Sequence, residues 1–251
     1  MNPYQHLLAT IRKTVAGAPY RFTYAADGFG VRKKFVPFAD DPAFEAAWQE
    51  TKRHNDPFWD GKTPDIRWRA HVCAWAASNC LRLEGDFAEF GVNTGILSSM
   101  ILKTTDFAAS DKSFYLFDTF GGIPTELATE AEMAHTKAMN ETIYAGDVLS
   151  EAKRAFAPFD NIEFVIGMLP GTLTDCGMDK IAYASIDLNS MIAEMAVAER
   201  IWDKITPGGM IVLDDYGFGG HEEQNQAWND FAKSKDRMIL AMPTGQGILM
   251  R

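Results

Sequence analysis

Short apolar runs alternate with helical stretches along most of this chain. From Phe87 onward, runs rich in β-branched and aromatic residues are separated by segments of helical periodicity, and each run ends in a small or acidic residue. This alternation is typical of parallel strands joined by helices on both faces of one sheet. We therefore predict an α/β fold of the doubly wound, Rossmann-like type. The strands are predicted at 85–91, 113–118, 162–167, 181–188 and 210–214, and the helices at 96–103, 148–157 and 192–205.

The end of the sequence has a different pattern. Two apolar runs, at 237–242 and 246–251, flank a turn made of Pro243, Thr244 and Gly245. A short turn of this composition between two such runs predicts a β-hairpin. We therefore expect a mostly parallel, seven-stranded sheet whose C-terminal hairpin strand runs antiparallel to its neighbour.

Residues 1–80 are less regular, rich in aromatic side chains and interrupted by prolines. We expect them to form a partly helical arm that packs on an α/β domain at 81–251 or on another subunit. The alternative is that they form a lid or wall of a ligand pocket. The segment can both pack on the domain and line a pocket. The long connection at 121–146 follows a strand end, where substrate-contacting loops are common.

Charge and composition restrict the partners. The chain has 251 residues and a formal net charge of -10, which argues against a protein that binds nucleic acid by neutralising phosphates. No apolar stretch has the length of a signal-peptide core or a membrane span. Cys73, Cys80 and Cys176 are too few for a disulfide framework and include no Cys-x-x-Cys pair. We expect a cytoplasmic protein with reduced thiols and neither a nucleic-acid nor a membrane partner.

A turn with two glycines lies between the first strand and the first helix of this order. It reads Glu89, Phe90, Gly91, Val92, Asn93, Thr94, Gly95. Its glycines permit a sharp turn and close approach of a ligand, and the following helix N-terminus offers free N–H groups. The alternative is a tight turn with no ligand. A dinucleotide fingerprint needs a closer first pair of glycines, so the spacing disfavours a nicotinamide or flavin enzyme.

Asp118 ends the second predicted strand. It follows the glycine turn at about the distance at which an acid accepts hydrogen bonds from a ribose diol. The alternative is that Asp118 caps the next loop. Its combination with the glycine turn favours the ribose interpretation.

Three further acids end the later strands: Asp187 after the fourth, and Asp214 with Asp215 after the fifth. Because the carboxyl ends of neighbouring parallel strands share one rim, we expect these carboxylates to converge. Crowded carboxylates repel one another unless a cation lies among them, and oxygen ligands completed by water and substrate suit Mg²⁺. The alternative is that Asp214 or Asp215 caps a loop.

His221 lies a few residues past the acidic pair, in a glycine-rich loop that should cover the same rim. It is a candidate general base, and a solvated loop histidine is the alternative. Tyr216 could line the same pocket. Met168 and Met191 are expected to fill the core or the pocket.

Several segments between residues 85 and 251 together resemble the macrocin O-methyltransferase family, also called the TylF family, of class I methyltransferases. These segments are 85–92, 117–124, 164–173, 186–188, 207–217 and 244–247. The resemblance implies methyl transfer from S-adenosylmethionine to a hydroxyl, typically on a sugar of a natural product. It also implies Mg²⁺ bound through the residues equivalent to Asp187, Asp214 and Asp215.

The predicted site combines these motifs with the resemblance. Asp187 and His221 are the predicted catalytic residues. The predicted cofactor contacts are Glu89, Phe90, Gly91, Val92, Gly95, Asp118, Thr119, Gly167, Met168 and Asp187. The predicted partner is a small molecule that offers a hydroxyl. The aromatic arm and the resemblance also favour a homo-oligomer.

Two positions depart from the family pattern. Members often have a second acid two residues before the metal aspartate and a tyrosine two residues after it, where this chain has Ser185 and Asn189. These changes leave open an acceptor other than a macrolide sugar. They also motivate an alternative function, a non-catalytic scaffold that acts by oligomerisation or partner binding. Retention of the three clustered acids argues against the scaffold, because such acids cost stability.

Overall fold

A computed structural model of the chain describes residues 22–174 and 176–251. The strands are β1 (Tyr24–Ala26), β2 (Phe29–Val31), β3 (Asp86–Phe90), β4 (Phe114–Asp118), β5 (Ile162–Ile166), β6 (Ile181–Ile186), β7 (Ile205–Leu213), β8 (Leu240–Ala241) and β9 (Gly247–Met250). The helices are α1 (Pro42–Asn55), α2 (Arg67–Cys80), α3 (Ile96–Thr104), α4 (Met133–Thr142), α5 (Val148–Phe156), α6 (Met191–Ile201) and α7 (Glu222–Ser234).

A seven-stranded sheet forms the centre of the molecule, in the order β5-β4-β3-β6-β7-β9-β8. Strands β3 to β7 pair in parallel, and the chain reverses direction of travel across the sheet between β5 and β6. Helices cover the sheet, so the predicted α/β, Rossmann-like fold is confirmed. In such a sheet the ligand crevice lies at the carboxyl ends of the strands, where the order reverses. Here that point lies between β3 and β6.

The predicted helix at 192–205 is wrong at its C-terminal end. Helix α6 stops at Ile201, a single 3₁₀ turn follows, and β7 already begins at Ile205, which pairs with Ile181 of β6. Ile205 is buried against that neighbour, and the proline and glycines after it could not continue a helix. Tertiary pairing therefore outweighs the helical periodicity at this boundary.

The C-terminal hairpin is confirmed, with shorter strands than predicted. Strand β9 lies between β7 and β8 and runs antiparallel to both. Gly245 has φ 90°, and the turn is closed by a hydrogen bond of 2.8 Å from Met242 N to Gln246 O. Strand β8 has only two residues, and Met238, which comes shortly before it, is exposed.

The described part of the N-terminal segment packs on the sheet domain. Helix α1 begins after Asp41, whose side chain accepts hydrogen bonds from Ala43 N and Phe44 N. Trp48 of α1 belongs to one continuous apolar cluster with Ile101 of α3. Residues 1–21 of the predicted arm lie outside the described residues. Cys73 and Cys80 are both buried on α2 and unpaired.

Two helices lie in regions for which no helix was predicted. Helix α4 lies inside the long connection at 121–146, and α7 follows the glycine-rich loop after β7. Helix α7 buries Trp228, Phe231 and Ala232, which are spaced by three and one along one helical face. None of the helices in the described residues is long and apolar enough to cross a membrane.

Candidate active site

The glycine turn leads from β3 into α3 and contacts the residue that follows β6. Gly91 has φ 88°, and a Cβ atom there would lie 1.8 Å from the main-chain oxygen of Asp187. Only glycine allows both this conformation and this close approach. The turn is therefore as tight as the sequence predicted.

A cavity opens at the end of this turn. Five of the predicted cofactor residues line it, namely Gly91, Asp118, Thr119, Gly167 and Asp187. Apolar side chains cover another part of its wall, among them Ile123, Leu127, Leu169 and Leu188. Apolar walls with a small number of polar groups are typical of a small-molecule or cofactor site.

Asp118 holds the glycine turn in place. Its Oδ2 accepts hydrogen bonds from Val92 N at 2.7 Å and Asn93 N at 2.9 Å, and its Oδ1 accepts one from Phe120 N at 2.7 Å. An ionised carboxylate has about four lone-pair positions, so roughly one stays available to a ligand in the cavity. Asp118 thus caps the loop, as the alternative proposed, and still borders the cavity.

Other predicted cofactor residues lie away from this cavity. The Phe90 ring is buried and stacks on Phe117 at 4.8 Å between centroids. Gly95 is the N-cap of α3, packed against Phe156. Met168 is 46% exposed and borders a separate shallow depression, while its neighbour Leu169 lines the cavity. These three residues support the turn or cover the outside of the site.

Glu89 lies beneath the turn and is only 3% exposed. Ser98 of α3 donates a hydrogen bond to its Oε2. Burial, opposed by the Ser98 hydrogen bond, raises the pKa of Glu89 to about 8. Near neutral pH the side chain therefore carries a proton most of the time.

The three predicted metal acids meet at the ends of β6 and β7. Asp187, Asp214 and Asp215 each place a carboxylate oxygen within 4.8 Å of the other two. Burial, followed by the charges of Asp215 and Asp214, raises the pKa of Asp187 well above its usual value. Burial and Asp214 likewise raise the pKa of Asp215 to about 6. Such shifts show how strongly this cluster disfavours three negative charges with no cation among them.

One oxygen of this cluster has no hydrogen-bond partner among the described residues. Asp215 Oδ2 is buried and accepts no hydrogen bond from the described residues. Buried carboxylate oxygens are normally paired, because leaving one unpaired costs free energy. The orphaned oxygen and the oxygen-only ligand set therefore fit a hard divalent cation such as Mg²⁺.

Arg69 of α2 also reaches the cluster, although the sequence did not single it out. Its Nη1 donates to Asp214 Oδ2, and its Nε donates to Asp27 Oδ2 at 2.8 Å. The guanidinium group lies 5.5 Å from the ring centroid of Phe218. The N-terminal segment therefore contributes a charged group to the site.

A second, larger cavity is lined by all three carboxylates. His221 and His135 both line it, with ring centroids 5.6 Å apart in a T-shaped contact. Trp59, Ile66, Ile96, Leu97, Met139 and Ile143 form its apolar part. Predicted residues Glu89 and Val92 face this cavity rather than the first.

Four residues border both cavities: Gly91, Asn93, Tyr144 and Asp187. Tyr144 comes from the connection at 121–146, where the sequence led us to expect substrate contacts. Burial and the neighbouring acids raise the pKa of Tyr144, so its phenol keeps its proton. Asp187 belongs to the metal cluster, which therefore stands at the junction of the two cavities.

The strand order, the reversed last strand and the glycine turn at the end of β3 define the class I methyltransferase fold. Within that class, the chain belongs to the macrocin O-methyltransferase (TylF) family, whose model matches residues 72–241. The resemblance seen in the sequence is thus confirmed.

Two relatives have sequences similar to this chain. A mycinamicin III 3''-O-methyltransferase of Micromonospora griseorubida is 26% identical over 166 residues, which cover 62% of this chain and 64% of that protein. A demethyldecarbamoylnovobiocin O-methyltransferase of Streptomyces niveus is 27% identical over 143 residues, which cover 53% of each chain. The chain spans about half to two thirds of the length of these relatives.

A solved structure supports the fold. The O-methyltransferase NovP superposes with a TM-score of 0.62 at 20% sequence identity, and the match covers 73% of this chain and 79% of that chain.

Proposed function

We propose that this protein transfers a methyl group from S-adenosylmethionine to a hydroxyl of a small molecule, a sugar or a glycosylated natural product, with help from Mg²⁺. One observation carries the proposal: the carboxylate cluster stands where the cavity lined by Gly91 and Asp118 meets a second, larger cavity. Methyl transfer to oxygen needs a donor and an acceptor that meet end to end. Two cavities with Asp187 in their common wall provide that arrangement.

The first cavity is where we place S-adenosylmethionine. Gly91 leaves room for the ligand beside the turn, Asp118 keeps a lone-pair position for a ribose hydroxyl, and Leu169 and Leu188 offer apolar wall to the adenine. When bound, this cofactor supplies a methyl group on a positively charged sulfur. The task of the protein is then to position the acceptor oxygen in line with that methyl group.

Asp187, Asp214 and Asp215 are the residues that would hold Mg²⁺. When bound, the ion supplies positive charge that lowers the pKa of an acceptor hydroxyl and orients it. The orphaned Oδ2 of Asp215 supports this role, because no described donor satisfies it.

His221 is the residue that we propose as the proton acceptor, with Asp187 as the other candidate. His221 lines the larger cavity, and its Nδ1 lies 3.2 Å from Gln224 Oε1. If that contact is an Nδ1–H donating to the amide oxygen, the lone pair of Nε2 is free to accept the hydroxyl proton. Asp187 borders both cavities and is therefore close to the point of transfer.

The larger cavity is where we place the acceptor. Its lining combines the carboxylates, Arg69 and two histidines with apolar side chains such as Ile66 and Leu97. This combination suits a molecule with hydroxyls at one end and an apolar body, as in a glycosylated natural product. The relatives named for mycinamicin III and demethyldecarbamoylnovobiocin support this class of acceptor.

Calorimetry with S-adenosylmethionine, followed by methyl-transfer assays, tests the proposal. Mycinamicin III and demethyldecarbamoylnovobiocin are suitable trial acceptors, each with Mg²⁺ and with excess chelator. We expect cofactor binding and methyl transfer that the chelator suppresses. No cofactor binding at millimolar concentration would overturn the proposal in favour of a non-catalytic scaffold. Full activity in excess chelator would remove only Mg²⁺.

Three sequence predictions stay predictions beside this proposal. They are the homo-oligomeric state, the cytoplasmic location and the division of the chain at residue 80 into an arm and a catalytic domain.

A further inference from the structure

Two side-chain amides contact two of the three clustered carboxylates. Asn189 Nδ2 donates to Asp187 Oδ1 at 2.8 Å, and Gln246 Nε2 donates to Asp214 Oδ1 at 3.0 Å. The two amides come from distant parts of the chain, the loop after β6 and the turn before β9. Each carboxylate thus has one oxygen held by a neutral donor.

The orientation of the Gln246 amide is set by its surroundings. Gln246 is completely buried, and its Oε1 accepts a hydrogen bond of 3.0 Å from Thr244 Oγ1. Because an ionised carboxylate can only accept hydrogen bonds, the NH₂ group faces Asp214 Oδ1, and it also lies 3.5 Å from the sulfur of Cys73. In this orientation the Gln246 amide acts toward Asp214 as a hydrogen-bond donor and not as an acceptor.

The orientation of Asn189 follows from its backbone. Asn189 has φ 50°, in the left-handed region that few residues other than glycine and asparagine adopt. This conformation turns the chain sharply after Asp187 and brings the Asn189 amide back over that carboxylate. The side chain is 7% exposed and lines the larger cavity.

Neutral donors differ from Arg69 in their effect on a cation. Arg69 adds positive charge beside Asp214 Oδ2, which opposes the approach of a divalent ion. Asn189 and Gln246 restrict the carboxylates without adding charge. They leave the attraction of the cluster for a cation intact while reducing the freedom of its ligands.

We infer that Asn189 and Gln246 are positioning residues that hold Asp187 and Asp214 in the orientation needed to bind a divalent metal ion together with Asp215. The inference rests on the proposed function, since it takes the cluster to be a metal site. Hydrogen bonds to the ligands of a metal commonly change its affinity by about 10- to 100-fold. These two amides supply such bonds to two ligands.

Mn²⁺ binding to the full chain, measured by electron paramagnetic resonance without cofactor or acceptor, tests the inference. The variants are Asn189→Gly, which keeps the left-handed backbone and removes the amide, and Gln246→Met, which keeps the length of the side chain. We expect each to weaken Mn²⁺ binding by about 10-fold or more. The affinity for S-adenosylmethionine should stay within about 2-fold of that of the wild type, which a general structural defect would not allow.

Matched controls make the same chemical changes away from the site. Asp236→Gly replaces another residue of positive φ, at the exposed end of α7, and Gln226→Met replaces an exposed glutamine of the same helix. Both should bind Mn²⁺ like the wild type. If Gln246→Met does not fold, Thr244→Val releases the amide more gently, and we expect a smaller loss of the same kind.

Two results would overturn the inference, and they are distinguishable. Unchanged Mn²⁺ affinity in Asn189→Gly and in the folded Gln246 or Thr244 variant would overturn the positioning role while leaving the metal site in place. A wild type that binds no Mn²⁺ would overturn the metal part of the proposed function and this inference together.

Discussion

Arg69 donates a hydrogen bond from Nη1 to Oδ2 of Asp214, 145 positions further along the chain. Asp27, in the turn between β1 and β2, holds the same guanidinium group from the other side. Asp214 is 1% exposed and Arg69 16% exposed at their side chains, so this ion pair is largely removed from solvent. The N-terminal segment and the carboxylate rim are therefore joined by buried charge as well as by apolar packing.

Replacing Arg69 should destabilise the protein strongly. Removing one partner of a buried ion pair leaves an uncompensated charge, which costs about 3–5 kcal/mol. We expect Arg69→Met to lower the free energy of unfolding in urea by that amount, and Arg69→Met with Asp214→Asn to lower it by less than the sum of the single losses. Lys180→Met, which breaks an exposed pair with Glu84, is the control and should cost at most about 1 kcal/mol. Strict additivity of Arg69 and Asp214 would contradict the prediction.

Gly91→Ala should damage the protein more than its backbone conformation alone requires. The new Cβ would meet the Asp187 carbonyl oxygen at 1.8 Å, whereas a Cβ at Gly61, with φ 73°, would meet nothing within 4 Å. Gly61→Ala therefore measures the left-handed strain alone, about 1–2 kcal/mol. We expect Gly91→Ala to cost more than about 4 kcal/mol in urea unfolding and to lose cofactor binding. Equal losses in the two variants would show that the close contact is harmless.

Asp215→Asn should separate activity from stability. Asp215 Oδ2 has no hydrogen-bond partner among the described residues, so the substitution breaks no bond at that atom. Metal-derived charge stabilisation is worth several kcal/mol, so we expect methyl transfer to fall by about 100-fold or more. Unfolding in urea should be unchanged or shifted to higher denaturant, because one buried negative charge is gone. Wild-type activity in this variant would remove Asp215 from the metal site.

The pH dependence of stability should reveal Glu194, a buried acid of α6. It accepts hydrogen bonds from Trp228 Nε1 and Leu188 N, and burial raises its pKa from 4.5 to about 8. The folded protein therefore holds this proton more tightly than the unfolded chain does. Stability should fall as the pH rises from about 4.5 to about 8, by up to roughly 1.4 kcal/mol per pH unit.

Glu194→Gln should reduce that fall, because the variant has no proton to lose. The measurement is urea unfolding in excess chelator at pH 5 and pH 8. A residual fall is expected from Glu89, whose pKa is raised in the same direction. Identical pH dependence in the wild type and the variant would contradict the assignment to Glu194.

His221→Asn should lower methyl transfer by about 10²- to 10⁴-fold, the usual contribution of a general base. The affinity for S-adenosylmethionine should not change, because His221 lines only the larger cavity. His135→Asn is the matched control, since His135 contacts His221 in the same wall and should cost only a few-fold. Equal effects of the two substitutions would assign both histidines to acceptor binding.

Local patterns in the sequence were sufficient for the parallel strands and for the acids at their ends. Asp118, Asp187 and Asp214 were identified because a strand end can be read from the residues around it, and parallel strands share one rim. The spacing of Trp228 and Phe231 also indicates helix α7, which our sequence analysis does not predict.

Contacts between distant segments were not predictable in this way. Arg69 has the appearance of an ordinary polar residue on α2, and only the folded chain brings it to Asp214. Gln246 belonged to a segment that matched the family, which was the available signal, but its role depends on β9 lying beside β7. The same limit applies to Met168, which the sequence predicts as a cofactor contact, whereas its neighbour Leu169 lines the cavity. The direction of a side chain after a strand depends on the loop that follows.

The position of β9 also sets an order of events during synthesis. Strand β9 lies between β7 and β8, although both are made before it. Until Met250 has left the ribosome, β7 has an open edge, which is an aggregation hazard, and Asp214 lacks the Gln246 amide. The rim that gathers the carboxylates is thus completed only after nearly all of the described chain has been translated, although Arg69 and Asn189, which contact two of its acids, are made much earlier.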